Sequence, residues 1–254
     1  MTNIIALTDL CNWKLKAGSH KWPGPHGGTC INEAAIVAAG FEYKSVSKAS
    51  DCPPCFSPVV SAYLIQLNDH LNDVDRQQLI RFVTRLSGSR DTDAVEQKRL
   101  EFIVIETVRR IVSIAMDAAM LSECATECRA VRTLAEASAA LAKAADEANV
   151  AANQACRVAN AAYIADQARS IAANTADHAV NAAKYVVGTA TVLAANAADI
   201  AANSSTMIKK SLTHHCIDIV EGALAIGNQA TDVDAALVVA RMNEVRTRGV
   251  VGVL

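Results

Sequence analysis

The prolines of this 254-residue chain are confined to its start, and this limits the possible fold more than any other feature of the sequence. All five lie between Pro23 and Pro58, whereas residues 59–254 contain none. Proline interrupts helices because it lacks an N–H group and its ring collides with the preceding turn. Everything after Pro58 is therefore free to be helical. Residues 1–58, which also carry five glycines, are predicted to be loop-rich, with one short helix at about 31–39.

Start and stop signals divide the rest of the chain into helices. Ser57-Pro58 places a capping hydroxyl before a proline at the first helical position, which predicts a helix from Pro58 to Leu71. Asn72-Asp73 predicts a second helix over residues 74–86. Apolar periodicity predicts three more, over residues 91–116, 207–226 and 233–246, the first of them buried in its second half. The predicted fold class is an all-α helical bundle.

Alanine dominates one region of the chain. From Ala135 to Ala202, 29 of 68 residues are alanine, the strongest helix former. Small apolar residues between Ala151 and Ala197 alternate in steps of four and three, interrupted only by Arg169, which predicts a coiled-coil-like seam. We expect Gly188 to kink or turn this helix.

Composition divides the chain into three parts. We expect an N-terminal module over residues 1–134, the alanine-rich helical region over 135–203, and a C-terminal helical segment over 204–254. The first module contains the loop-rich segment, followed by the first helices. Aromatic residues make up only 4 % of the chain, so the core has to be built from small and aliphatic side chains.

Charge and hydropathy exclude several classes of partner. Lys and Arg number 24 against 26 Asp and Glu, and they are scattered, so binding to nucleic acid is not expected. No run of about 20 apolar residues occurs, and no membrane span is expected. The first ten residues lack the pattern of a secretion signal, which predicts a cytoplasmic protein. The eight cysteines are then expected to be reduced.

One group of residues near the start has the composition of a metal site. Imidazoles and thiols gather in a loop-rich segment, as in structural zinc sites, and zinc or iron is the alternative to the expectation that the chain has no cofactor. The candidate ligands are His20, His26, Cys30, Cys52 and Cys55. Two prolines separate the last pair of cysteines and remove the N–H groups that usually point at thiolate sulfur, which favours buried thiols and loop histidines instead.

Cys30 is also the candidate nucleophile of an alternative enzymatic function. It lies at the first turn of the short helix, where the helix dipole and free N–H groups favour a thiolate. His20 or His26 is the candidate base, and Glu33 or Asp51 would orient it, which would make a cysteine hydrolase or acyltransferase. Glycines before a helix are equally ordinary capping chemistry, which favours a chain without enzymatic activity.

A second pair of cysteines lies in the helical part. Glu123-Cys124 and Glu127-Cys128 repeat at a spacing of four and would lie on adjacent faces of one helix, where they could bind a soft metal. The commoner outcome for this pattern is buried cysteine with solvent-facing glutamate, and this is what we expect.

Residues 15–90 resemble an uncharacterised family found in bacteria and phages. The resemblance rests on four short segments: Gly18-Ser19-His20, Gly28-Thr29-Cys30-Ile31-Asn32-Glu33-Ala34, Cys55-Phe56-Ser57-Pro58-Val59 and Leu67-Asn68-Asp69. The family has no established activity, so the resemblance implies interest in His20, Cys30, Glu33 and Cys55 but names no substrate. It adds a phage-infected bacterial cell to the expected locations.

The sequence therefore favours a non-enzymatic function. We expect a structural or protein-interaction protein whose alanine-rich helices assemble with copies of themselves, or with another protein. The alternatives are a metal-binding module in residues 11–58 and a cysteine-dependent enzyme centred on Cys30. The chain contains no phosphate-binding loop or recognisable cofactor motif, which supports the non-enzymatic function.

Overall fold

A computed structural model of the chain describes residues 14–20, 28–118, 121–152, 206–227, 233–234, 236–241 and 243–244. The chain is mostly helical, which confirms the predicted all-α class. Within these residues the sole β-type pairing is an isolated parallel bridge between Leu15 and Thr29. The chain divides into two compact units, one formed by Met1–Glu96 with Leu224–Leu254 and the other by Gln97–Ala223.

The first helix of the first unit, α1, spans Ile31–Ala38, and all of its residues are buried. It ends in a Schellman motif, in which the N–H of Gly40 bonds to the oxygen of Val37 and that of Phe41 to the oxygen of Ile36. Gly40 has a φ of +86°, a value that glycine adopts without strain. The end predicted near residue 39 is confirmed.

The second helix, α2, spans Pro58–His70 and starts where the sequence predicts. The Ser57 hydroxyl accepts a hydrogen bond from the N–H of Val60 at 3.2 Å, and proline occupies the first helical position. The C-terminal end of α2 is closed by Arg76. Its Nε donates to the main-chain oxygen of Asn68 and its Nη2 to that of Leu71, both groups that lack a partner within the helix.

The predicted helix over residues 74–86 is wrong beyond its first turn. After Asn72 caps the short helix α3, Asp73–Arg76, the chain tightens into a 3₁₀ helix over Gln77–Phe82 and then into turns. Leu79, Phe82, Val83 and Leu86 are all fully buried. These four residues would also share one face of a regular α-helix, so the burial keeps the helical spacing although the backbone winds more tightly.

The second unit contains the remaining helices. They are α4 (Asp93–Thr107, which begins in the first unit), α5 (Ser113–Ala118), α6 (Ser122–Ala130), α7 (Leu134–Ala152) and α8 (Thr206–Ala225, which ends in the first unit). A short π-helix, Val108–Val112, joins α4 to α5, so the helix predicted over 91–116 is continuous but not uniform. Its second half is buried as expected, at Val108, Ile111, Val112, Ala115 and Met116.

Helix α8 matches the helix predicted over residues 207–226 and ends at Ala225, two residues before Gly227, which has a φ of +86°. Residues 236–241 and 243–244 are helical and lie within the last predicted helix, but its predicted start is wrong, because residues 233–234 are not helical. None of the helices in the described ranges is both long and apolar enough to cross a membrane.

Much of the alanine-rich region cannot be compared with its prediction. Residues 153–205 lie outside the described residues, and with them most of the predicted seam and Gly188. The coiled-coil-like arrangement and the three-part division at residues 134 and 203 therefore stay predictions.

Candidate functional site

The start of α1 is closed by a cysteine in the position where serine or threonine usually stands. The Cys30 thiol accepts a hydrogen bond from the main-chain N–H of Glu33 (3.4 Å), and the Glu33 carboxylate accepts one from the main-chain N–H of Cys30 (2.9 Å). This reciprocal pair is a capping box, which satisfies two N–H groups at the helix start. Cys30 thus has a structural role here, and only 3 % of it is exposed.

The Glu33 carboxylate is completely buried and accepts hydrogen bonds on both oxygens. Its donors are the main-chain N–H groups of His20, Cys30 and Val46, the hydroxyls of Ser19 and Thr29, and the His20 ring. Burial alone raises the pKa of this carboxyl, but the three N–H donors, at 2.8–3.2 Å, and the His20 ring outweigh burial, so the pKa is lowered. Glu33 is therefore ionised at neutral pH.

His20 is joined to Glu33 through its ring as well as its main chain. The ring Nδ1 lies 3.1 Å from Glu33 Oε2, and because a carboxylate only accepts, Nδ1 carries the proton. The main-chain oxygen of His20 accepts hydrogen bonds from the Tyr43 hydroxyl (2.9 Å) and from the Ser45 hydroxyl. Burial, followed by the nearby Glu33 carboxylate, raises the pKa of Tyr43, so its hydroxyl stays protonated.

The Cys30 thiol lies in an environment that opposes ionisation. Burial raises its pKa, and the Glu33 carboxylate raises the pKa further, against weaker effects of the N–H groups of Glu33 and Asn32. Burial first, and then the Glu33 carboxylate at the same helix end, therefore oppose the lowering of the pKa that the sequence predicts from the helix dipole. The structure does bring His20, Cys30 and Glu33 together, and the catalytic alternative stays a prediction.

The candidate metal ligands are only partly brought together. Cys52 and Cys55 are half-buried in the turn before α2, and the hydrogen bonds that join His20, Cys30 and Glu33 do not include them. Burial raises the pKa of Cys52 to about 11. Over the described parts of the chain, no three His, Cys, Asp or Glu side chains are arranged to hold a metal. His26 lies outside those parts, so the zinc or iron alternative stays a prediction.

Asp51 is the other residue that could orient a catalytic base. Its carboxylate instead accepts hydrogen bonds from the N–H groups of Ser47 and Lys48 at 3.0 and 3.1 Å.

Residues 14–20, which we call the strap, are fixed to the first unit by side chains of other segments. The Gln77 amide makes two hydrogen bonds with Leu15, accepting from its N–H at 2.8 Å and donating to its oxygen at 2.9 Å. Asn68 Nδ2 donates to the oxygen of Lys16 at 2.7 Å, and Asp69 accepts from the N–H of Gly18 at 2.7 Å. Residues 18–20, 29, 33 and 67–69, which the sequence analysis singled out in separate segments, therefore meet along the strap.

A second buried carboxylate, Glu96, was not found from the sequence. It accepts a hydrogen bond from the Ser57 hydroxyl at 2.6 Å, and the N–H of Ser57 donates to the Ser89 hydroxyl at 2.8 Å. Glu96 thus supports the cap of α2 as Glu33 supports that of α1. The only available signal was its position one turn into α4, which exposed glutamates share.

In the second unit, the cysteine pair behaves as expected. Cys124 and Cys128 are buried in α6 while Glu123 and Glu127 are exposed. Burial raises the pKa of Cys124 to about 12 and that of Cys128 to about 11. Glu147 of α7 contributes to the first of these shifts. These thiols are therefore protonated at neutral pH.

An open groove of about 410 Å³ lies between α6 and α7. Its lining consists of small apolar side chains with charged ones: Ala130, Val131, Ala139 and Ala140, with Glu127, Glu136 and Lys143. Lys143 spans the two helices, since it pairs with Glu127 of α6 and lies 3.7 Å from Glu147 of its own helix.

The fold and the hydrogen-bonded cluster of His20, Cys30 and Glu33 define an all-α protein in which buried carboxylates, Glu33 and Glu96, support the starts of α1 and α2. Comparison with protein-family models, with curated proteins and with solved structures finds no match for this chain.

Proposed function

We propose that this chain is a non-enzymatic structural or protein-interaction protein that assembles with copies of itself. The observation that carries the proposal is the role of the candidate catalytic residues. Glu33 uses both carboxylate oxygens to hold neighbouring segments, and Cys30 caps a helix. A buried thiol with a raised pKa is a poor nucleophile.

The groove between α6 and α7 supports the interaction part of the proposal. Its alanines allow close approach of another helix, so that dispersion contacts accumulate along the interface. Helix α7 belongs to the alanine-rich region, whose seam is predicted from Ala151 onward. Self-assembly through small side chains is consistent with both features.

Light scattering tests the proposal directly. At tens of micromolar, the full chain is expected to have at least the mass of a dimer. A chain that is monomeric over this range would contradict self-assembly. The wild-type protein also serves as the reference for the variants described below.

Elemental analysis separates this function from the metal-binding alternative. Protein purified without chelator is expected to contain well under one zinc or iron per chain. Stoichiometric metal that is lost on replacing Cys52 or Cys55 would instead favour a metal-binding module.

A further inference from the structure

The strap is bound mainly through its backbone. Seven of its main-chain polar groups have partners: the N–H groups of Leu15, Lys16, Gly18 and His20, and the oxygens of Leu15, Lys16 and His20. Six of them are bonded by side chains, and the N–H of Lys16 donates to the main-chain oxygen of Thr29 at 3.1 Å. Bonds to main-chain groups hold a segment largely without regard to its own side chains, as they do in peptide recognition by strand addition.

Four side-chain positions of the strap add selectivity. Leu15 is 1 % exposed and fills a site in the core, and Gly18 has a φ of +84°, which disfavours other residues. Ser19 and His20 both bond to the Glu33 carboxylate. Lys14, Lys16, Ala17 and Ser19 are exposed, although the Ser19 hydroxyl lies 3.4 Å from the buried carboxylate. The arrangement therefore selects the pattern Leu-x-x-Gly-Ser-His.

We propose that the residues that hold the strap form a peptide-recognition groove for Leu-x-x-Gly-Ser-His, and that in the assembled protein this groove takes the strap of a second copy. We call these residues the seat; they are Thr29, Glu33, Tyr43, Ser45, Asn68, Asp69 and Gln77. The exchange rests on the proposed self-assembly, whereas recognition of the peptide does not.

The second copy is the occupant because its strap offers every contact that the chain's own strap makes. The groove binds main-chain groups and a sequence pattern, and both are identical in another copy. Residues 21–27, which join the strap to the seat, include two prolines and two glycines, and seven residues reach at most about 25 Å. Only an adjoining copy can therefore exchange straps. Since the tethered strap competes at an effective concentration on the order of millimolar, exchange requires copies that are held together.

Peptide binding to the full chain tests recognition. The probe is a fluorescent peptide with the sequence of residues 14–20, Lys-Leu-Lys-Ala-Gly-Ser-His, and the protein is the Leu15→Asp variant, whose own strap no longer competes. This variant is expected to bind the peptide at least tenfold more tightly than the wild type. Adding Gln77→Ala is expected to weaken binding roughly tenfold, since two hydrogen bonds are lost. A peptide with valine in place of the glycine is expected not to bind.

Failure of a folded Leu15→Asp variant to bind the peptide would overturn the groove. Circular dichroism establishes that the variant is folded, and Gly18→Val provides a second strap-weakened chain if Leu15→Asp is not. Equal binding of the matched and the valine peptides by either variant would also overturn it, because the seat would then recognise no pattern.

Light scattering on the same variants tests exchange. The Leu15→Asp and Gln77→Ala chains are each expected to dissociate at concentrations at least tenfold higher than the wild type does. An assembly that is unchanged in both variants would overturn exchange but leave the proposed function standing. A wild-type chain that is monomeric throughout would overturn both, and the peptide experiment would still decide whether the seat is a recognition groove.

Discussion

Arg241 donates a hydrogen bond from Nη1 to the main-chain oxygen of Ala38 at 2.6 Å, although the two residues are 203 positions apart. Ala38 ends α1, where carbonyl groups lack partners within the helix and a positive charge is favourable. Gly40 makes the approach possible, because a Cβ at this position would lie 2.9 Å from the guanidinium carbon. The C-terminal helical residues are thereby fixed to the first helix of the chain.

Replacing Arg241 should therefore destabilise the first unit. Arg241→Ala leaves the terminal carbonyl of α1 without its partner, and we expect a loss of about 1–2 kcal/mol in the free energy of unfolding. Urea denaturation measures the change. Arg81→Ala, at an exposed position of the same unit, is the control and should change stability by less than about 0.5 kcal/mol. Equal effects of the two substitutions would contradict the role given to Arg241.

Glu33→Gln should be among the most damaging single substitutions in the first unit. The amide keeps one acceptor oxygen, but its NH₂ group then faces N–H and hydroxyl donors in a fully buried site. We expect a loss of about 3 kcal/mol or more. Denaturant unfolding of this variant is compared with Glu42→Gln, which removes an exposed carboxylate nearby. A Glu33→Gln protein as stable as the Glu42→Gln protein would show that the buried carboxylate is dispensable.

The same carboxylate gives the protein a specific acid sensitivity. The pKa of Glu33 is lowered below its ordinary value of 4.5 in the folded chain, so protons bind the unfolded chain more tightly. The resulting stabilisation is complete above about pH 4.5 and is lost as the pH falls through the lowered folded value. Unfolding free energies measured from pH 7 to pH 3 should therefore fall more steeply below pH 4.5 for the wild type than for Glu33→Gln. Parallel curves would contradict this assignment.

Cys30 should behave as a helix cap and not as a nucleophile. Cys30→Ser keeps a capping side chain and should change stability by less than about 1 kcal/mol, whereas Cys30→Ala should cost about 1 kcal/mol more than the serine variant. A mild alkylating reagent near neutral pH should show no selective fast reaction at Cys30, since burial and Glu33 raise its pKa. Preferential labelling of Cys30 that is suppressed by changing His20 or His26 would favour the enzymatic alternative.

The predicted alanine seam can be tested by filling it. Ala162 and Ala176, which lie outside the described residues, are predicted to face a neighbouring helix. Replacing both with leucine should overfill the seam and cost roughly 1–3 kcal/mol per site. Thermal unfolding and light scattering measure the effect. The control is leucine at Asn160 and Asn174, two of the Asn and Gln residues that recur at every seventh position from 153 to 181 beside the seam. Unchanged stability of the alanine double variant would contradict the seam.

Local signals in the sequence predicted much of the helical framework. Ser57-Pro58 marked the start of α2, and Gly40 and Gly227 stand where helices end. Each of these signals acts within one turn of the residue that carries it, so neighbouring residues suffice to recognise it. The grouping of His20, Cys30 and Glu33 was also anticipated, although the sequence assigned these residues a possible chemical role and the structure gives them capping and hydrogen-bonding roles.

The parts that escaped prediction depend on long-range contacts. Gln77 bonds to Leu15, 62 positions away, and Glu96 to Ser57, 39 positions away. The sequence around Gln77 and around Glu96 contains no signal that separates these two residues from exposed polar residues nearby. The 3₁₀ helix at Gln77–Phe82 also escaped, because its buried residues keep the spacing of an α-helix and periodicity alone does not distinguish the two windings.

The first unit is built from residues before 97 and after 223, which has a consequence for how the protein emerges from the ribosome. At about 5–20 residues per second, synthesis of the intervening stretch takes on the order of ten seconds. During that interval the main-chain oxygen of Ala38 lacks its hydrogen bond from Arg241, and the main-chain oxygen of Thr84 lacks its hydrogen bond from the N–H of Val233. The nascent first unit therefore passes through a period of incomplete closure, in which its buried surfaces are accessible to chaperones and to neighbouring nascent chains.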